Sequence, residues 1–178
     1  MLESIKLKNG NTLEIYQDMS SESPREWDNV TKLVCFHKRY ALGDCHDVDH
    51  DDYNSWNEMR ESITNKNDLV VKLYLYDHSG ITIATSPFHC KWDSGQVGFA
   101  IITEAQIKEE FDGDVDKAAK CLEAEVKTYD QYLRGETYGY ILKDNEDNDL
   151  DSCWGFFGDD PEINGIFDAA NIKIDDVA

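Results

Sequence analysis

The sequence predicts an α+β fold, a mostly antiparallel sheet with two or three helices in a single domain spanning residues 1–178. Short apolar or alternating segments recur between tight turns, as hairpin-connected strands require. One long stretch, Asp114 to Arg134, instead carries apolar residues at helical spacing. The composition, 40% hydrophobic and 11% aromatic with only three prolines, is enough to build a core at this length.

The elements follow in order. Ile5 and Leu7 alternate with polar residues, Asn9-Gly10-Asn11 supplies a turn, and Leu13 and Ile15 resume the alternation, which predicts an opening β-hairpin. A loop rich in Ser and Glu, Ser20 to Pro24, leads to a short strand at Thr31 to Phe36. Ala41 to Asp52 is polar and reads as a long loop. Asp51 or Asp52 is placed to cap a helix presenting Tyr53, Trp56, Met59 and Ile63. Leu69 to Tyr76 is the most apolar strand and is expected to be central. Asp77-His78-Ser79-Gly80 turns it into a partner at Ile81 to Thr85. Gln96 to Ile102 forms the next strand and runs into Thr103-Glu104-Ala105-Gln106, a capping box. In the long helix Val115, Ala118, Ala119, Leu122, Val126, Tyr129 and Leu133 share a face, and Gly135 supplies the left-handed residue that ends it. Thr137 to Leu142 and Ser152 to Phe157 read as strands joined by the polar turn Lys143 to Asp151. A short helical or irregular segment around Ile163 to Ile174 closes the chain. Of the five cysteines, Cys121 and Cys153 are expected to be small buried hydrophobes, and the odd count suits free thiols in a reducing cytoplasm.

Charge is the most informative property. Thirty-seven Asp and Glu face 17 Lys and Arg, a formal charge of −20. A nucleic-acid binder needs a basic stripe, so the charge argues against direct nucleic-acid binding and none is expected. No apolar run is long enough to span a bilayer, and the first residues, MLESIKLKNG, lack a signal-peptide core, so a cytoplasmic protein without membrane contact is expected. The acids cluster in Asp44 to Asp52, Glu109 to Asp116, Asp144 to Asp151 and Asp159 to Glu162. Between Asp144 and Glu162 there are eight acids and no Lys or Arg. Such density costs stability by self-repulsion and has two readings: solubility, or a set of carboxylates fixed on rigid strands for a basic partner. The second reading selects Asp144, Glu146, Asp147, Asp149, Asp151, Asp159, Asp160 and Glu162, with Asp112, Asp114 and Asp116 as a further group. Trp154, Phe156 and Phe157 lie between the two acidic edges, where they serve as core or as an aromatic anchor.

Metal and catalytic signals are weaker. Asp147, Asp149 and Asp151 open like a calcium loop, but Ser152 replaces its glycine and Gly158 stands at the glutamate position. Cys35, His37, Cys45, His46 and His50 combine thiolates and imidazoles within sixteen positions, a candidate zinc cluster whose spacing matches no common finger. Asp77-His78-Ser79 places acid, base and hydroxyl side by side, which neighbouring strand positions cannot turn into a triad. No Walker loop, Gly-x-Ser-x-Gly or His-Glu-x-x-His occurs, and the residues imply no cofactor and no enzyme.

Several stretches carry a resemblance when taken together: SPREWDN (Ser23 to Asn29), VCFHKRYALGD (Val34 to Asp44), YLYDHSGI (Tyr74 to Ile81), CKWDSGQVGF (Cys90 to Phe99), VKTYDQYLRGETYGY (Val126 to Tyr140) and DSCWGFFGD (Asp151 to Asp159). In this order they resemble a family of small acidic proteins encoded by bacteriophages and mobile elements of Firmicutes, which extends to a type II anti-CRISPR inhibitor of Cas9. The resemblance implies a counter-defence protein in a bacterial cytoplasm that binds a basic host protein, Cas9 or another defence nuclease, through an acidic surface mimicking nucleic acid. Cas9 holds its guide–target duplex in a positively charged channel, which gives an acidic protein a physical route to it. Three other readings remain at this point: a metal-binding domain or metal-dependent enzyme, a DNA-mimic inhibitor of restriction enzymes, and a phage structural protein whose charge serves solubility.

Overall fold

The computed structural model describes all 178 residues and has the α+β class. Its strands form two antiparallel four-stranded sheets rather than one, and a fourth helix, a single turn, joins the two or three expected. The chain divides into a terminal unit, Met1–Ser23 with Gln131–Ala178, and a central unit, Pro24–Asp130.

In the terminal unit, β1 (Glu3–Lys6) and β2 (Thr12–Gln17) form the opening hairpin, with Ile5 opposite Leu13. β2 pairs with β7 (Thr137–Lys143), and β7 with β8 (Asp149–Phe157), giving the order β1-β2-β7-β8. Leu13, Ile15 and Tyr140 point to one face, where Ile166, Phe167, Ala170 and Ile172 from the tail cover them. The short α4 (Ile166–Ala169) supplies two of these residues. β8 is an edge strand, with Asp149 to Gly155 exposed and only Phe156 and Phe157 half-buried. That corrects two expectations. Residues 149–151 are strand, because the β7 pairing extends to Lys143 opposite Asp149, so the turn itself is confined to Asp144–Asn148. Cys153 is exposed, because nothing lies beyond the edge strand to bury it.

The central unit holds β3 (Lys32–Cys35), β4 (Leu69–Asp77), β5 (Ile81–Ala84) and β6 (Ser94–Ile102) in the order β3-β6-β4-β5. β4 is interior as expected, and β6 is buried without a break from Val97 to Ile102, as a strand covered on both faces must be. α1 (Trp56–Ile63) places Met59 against Val34, Phe99 and Ile101, with Trp56 and Ile63 packed around them. Its N-cap is Ser55, which accepts from the Glu58 amide. Asp51 and Asp52 sit instead in a separate 3-10 turn that Asp49 caps. α2 (Glu104–Phe111) has the expected Thr103–Gln106 capping box. α3 (Val115–Leu133) buries Ala118, Leu122, Val126 and Tyr129, while Val115 is exposed and Cys121 half-buried beside Glu125. Three of its side chains hold central-unit backbone: Glu125 accepts from Val30 and Thr31, Tyr129 from Gly43, and Asp130 from Ile83. Gly135 has φ 72°, and the amides of Gly135 and Glu136 close the helix end on Tyr132 and Gln131.

Candidate partner-binding site

Each clustered acid either serves the fold or faces solvent without a partner, and the structure separates the two groups. In the β7–β8 turn Asp144 is a structural residue. Its Oδ1 accepts from the amides of Glu146 (2.8 Å) and Asn148 (2.9 Å), and its Oδ2 from the Asn148 side chain (3.0 Å). Those bonds, the Asn148 side chain foremost, hold its carboxyl below the usual range. Asp147, at φ 68°, lies 3.2 Å from Lys143 Nζ, which also reaches Glu14 at 3.3 Å. Asp151 accepts a 2.6 Å bond from the Tyr140 hydroxyl. Burial, then that bond, raises the Tyr140 phenol. Asp160 accepts from the Glu162 amide at 3.0 Å and so shapes its own loop. Glu146, Asp149, Asp159 and Glu162 remain as exposed carboxylates without an ion pair, all on this hairpin or the loop that leaves it.

The further group behaves differently. Asp112 is the left-handed C-cap of α2 (φ 53°). Asp114 caps α3 by accepting from the Lys117 amide at 3.0 Å and pairs with the Lys117 ammonium at 3.4 Å, interactions that lower its pKa. Asp116 lies in the first turn of α3, where the helix dipole favours an anion. Helix ends thus account for all three without a partner.

On the solvent face of the terminal sheet, Trp154 lies across Gly139 and tilts against Tyr16, with ring centroids 6.2 Å apart. Tyr16 donates to Glu14 at 2.8 Å, which lowers the pKa of Glu14 and raises that of Tyr16. Trp154 is 47% exposed and Leu150 53%, so the acidic edge strand also presents apolar groups. Trp154 was a candidate from sequence, whereas Leu150, Tyr16 and Gly139 were missed. The available signal was Gly139 within Tyr138-Gly139-Tyr140, since a strand-interior glycine marks the close approach of a large group.

The zinc cluster is not formed. Cys35 is buried, and burial with Asp44 beside it pushes its thiol up to about 12. His46 is bonded through Nε2 to the Cys35 carbonyl (3.0 Å), and His37 accepts from the Arg39 and Tyr40 amides. Cys45 is exposed, and His50 packs against Phe36 and Trp56. No group of three or more His, Cys, Asp or Glu is arranged to hold a metal ion. His78 to Gly80 form the hairpin turn between paired Asp77 and Ile81, with the Asp77 carboxylate bound to Arg39 and His78 3.4 Å from Asp93. No helix is long and apolar enough to cross a membrane. Comparison with protein-family models, with curated proteins and with solved structures finds no match for this chain.

Proposed function

We propose that the protein is a stoichiometric inhibitor of a basic, nucleic-acid-binding host nuclease, with Cas9 the first candidate, and that the β7–β8 hairpin makes the contact. One observation carries this reading. An edge strand and its flanking loops present unpaired carboxylates (Glu146, Asp149, Asp159, Glu162) around exposed Trp154 and Leu150, in a segment without Lys or Arg. Carboxylates on a hydrogen-bonded hairpin keep their spacing when they meet a cationic groove, so little ordering entropy is lost on docking. They also accelerate encounter with a positive surface. Exposed apolar side chains among them supply the desolvated contact that acids alone lack. The resemblance to phage-borne acidic proteins points the same way.

The test is a cleavage assay with guide-loaded Cas9 titrated by the protein, repeated as salt is raised. Inhibition is expected near one equivalent, with the association rate falling about tenfold between 50 and 300 mM salt, as screening requires. A Glu146→Gln/Asp149→Asn/Glu162→Gln variant should associate more slowly and keep its fold, because none of the three side chains has a protein partner. The same titration against a restriction endonuclease forms the second arm. Inhibition of that enzyme alone would transfer the proposal to a DNA-mimic inhibitor of restriction, and inhibition of neither would refute it.

A further inference from the structure

The terminal unit contains a cleft of about 290 Å³ that shares Asp159 with the acidic edge described above. Its floor is core: Ile15 and Ile166 are 5% and 0% exposed. Leu2, Pro161 and Tyr138 also line it. Two carboxylates, Glu3 and Asp159, and the Asn164 amide complete the lining, which contains no Lys, Arg or His. Both carboxylates are exposed and neither pairs with a cation of the chain. Arg134, the nearby cation that influences Tyr138, is itself paired with Glu136. Asn164 is occupied on both sides, its amide donating to the Gly158 carbonyl (2.7 Å) and its oxygen accepting from the Ile166 amide (3.0 Å), which fixes the loop carrying Asp159.

The size lies at the lower edge of the roughly 300–1,000 Å³ of sites that enclose drug-sized ligands. A single side chain suits it better than a cofactor. Two carboxylates exclude an anion. An apolar floor beneath a negative rim suits a long side chain that is apolar along its stem and cationic at its tip.

We propose that this cleft is a socket for one arginine side chain presented by a protein partner. The stem rests on Ile15, Ile166 and Pro161, the planar guanidinium lies over Tyr138, and its several N–H donors reach Glu3 and Asp159. Arginine is preferred to lysine because the flat, weakly hydrated guanidinium both stacks on an aromatic ring and bridges two acceptors. The inference rests on the reading of the protein as a binder of a basic partner, and adds what that partner inserts.

The test uses the full chain, isotope-labelled, and follows the resonances of Tyr138, Asp159 and Ile166 by NMR. Three probes are titrated: N-acetyl-arginine N-methylamide, its lysine counterpart and its neutral norleucine counterpart. The arginine probe should give saturable shifts confined to the cleft, the lysine probe weaker binding and the norleucine probe none. Glu3→Gln with Asp159→Asn should weaken the arginine probe about tenfold, in proportion to the charge-assisted bonds lost. Absence of saturable shifts, or equal binding of norleucine, would overturn the socket while leaving nuclease inhibition to its own assay. Equal binding of lysine would overturn the preference for arginine. Arginine binding by a protein that inhibits no nuclease would uphold the socket and refute the proposed function.

Discussion

Asp44 belongs by sequence to an acidic surface segment, yet in the structure it holds the central unit together. The Arg25 side chain is 5% exposed and donates through Nε and Nη2 to the two oxygens of Asp44, each at 2.8 Å. Asp44 Oδ2 also accepts the Leu33 amide at 2.7 Å, which ties the loop to β3. Arg25 Nη2 donates further to the Thr31 carbonyl at 2.6 Å, and Glu125 lies 3.8 Å away. Replacing Asp44 by alanine leaves a buried guanidinium without its main counter-charge and the Leu33 amide without its acceptor. Breaking one partner of a buried pair costs about 3–5 kcal/mol. Asp44 is 20% exposed, so water recovers part of the loss and about 3 kcal/mol is the expected figure. Asp44→Asn keeps an acceptor and loses only the charge, and should cost about half as much.

Urea unfolding followed by tryptophan fluorescence is a suitable assay, because Trp27, Trp56 and Trp92 all lie in the central unit. With an m-value of about 2 kcal/mol/M, the Asp44→Ala midpoint should fall by about 1.5 M. Asp47→Asn, three residues along on an exposed side chain, is the control and should stay within about 0.5 kcal/mol of the parent. An Asp44→Ala shift as small as that of Asp47→Asn would refute the argument that burial and pairing, rather than membership of an acidic run, decide what an acid does here.

Two further outcomes are expected. The Cys35 thiol has a folded-state pKa of about 12 against an ordinary 9, so folded and unfolded chains hold the same proton below pH 9. Above it the unfolded chain loses that proton first, and stability should fall by about 1.4 kcal/mol per pH unit until pH 12. Unfolding at a series of alkaline pH values should therefore show a shallower decline for Cys35→Ala, and parallel declines would contradict the burial of the thiol. At Gly139 an added Cβ would lie 2.2 Å from Trp154 Cε3 and 2.8 Å from the Cys153 carbonyl. Gly139→Val should lift the indole off the sheet, cost about 1–3 kcal/mol and red-shift the Trp154 emission, read in a chain whose other tryptophans are replaced by phenylalanine.

The fold was legible where local chemistry decides it. The Asn9-Gly10-Asn11 turn, the Thr103–Gln106 capping box, the apolar stripe of α3 and the Gly135 cap each record a backbone requirement within a few residues. The partition into two sheets was not legible, because β2 meets β7 across more than a hundred residues and alternation says nothing about which strand is the partner. The start of β8 was missed for the same reason: Asp149-Leu150-Asp151 resembles the end of a polar turn until Lys143 is seen opposite Asp149. The acid clusters were legible as clusters. Their division was not, since Asp44 finds Arg25, Asp151 finds Tyr140 and Asp114 finds the start of α3 only in three dimensions.

That division sharpens the functional reading. The turn acids Asp144 and Asp147 hold the hairpin in shape, and the acids left over are those a partner could meet. Their placement on an edge strand has a further consequence. An unpaired strand edge invites pairing with another copy of itself, and charged side chains are a common defence. Two β8 edges meeting parallel and in register would set Asp149 and Asp151 of one copy against the same carboxylates of the other, with like charges facing across the new ladder. A segment rich in Lys or Arg meets the reverse condition, since each side chain that opposes self-pairing then favours the cationic strand. On the proposed reading the same carboxylates would oppose one class of partner and favour another, and that preference would weaken as salt screens the charges. Solubility alone would place the surplus anywhere on the surface, whereas the proposed discrimination would need it on the free edge, beside Trp154 and Leu150.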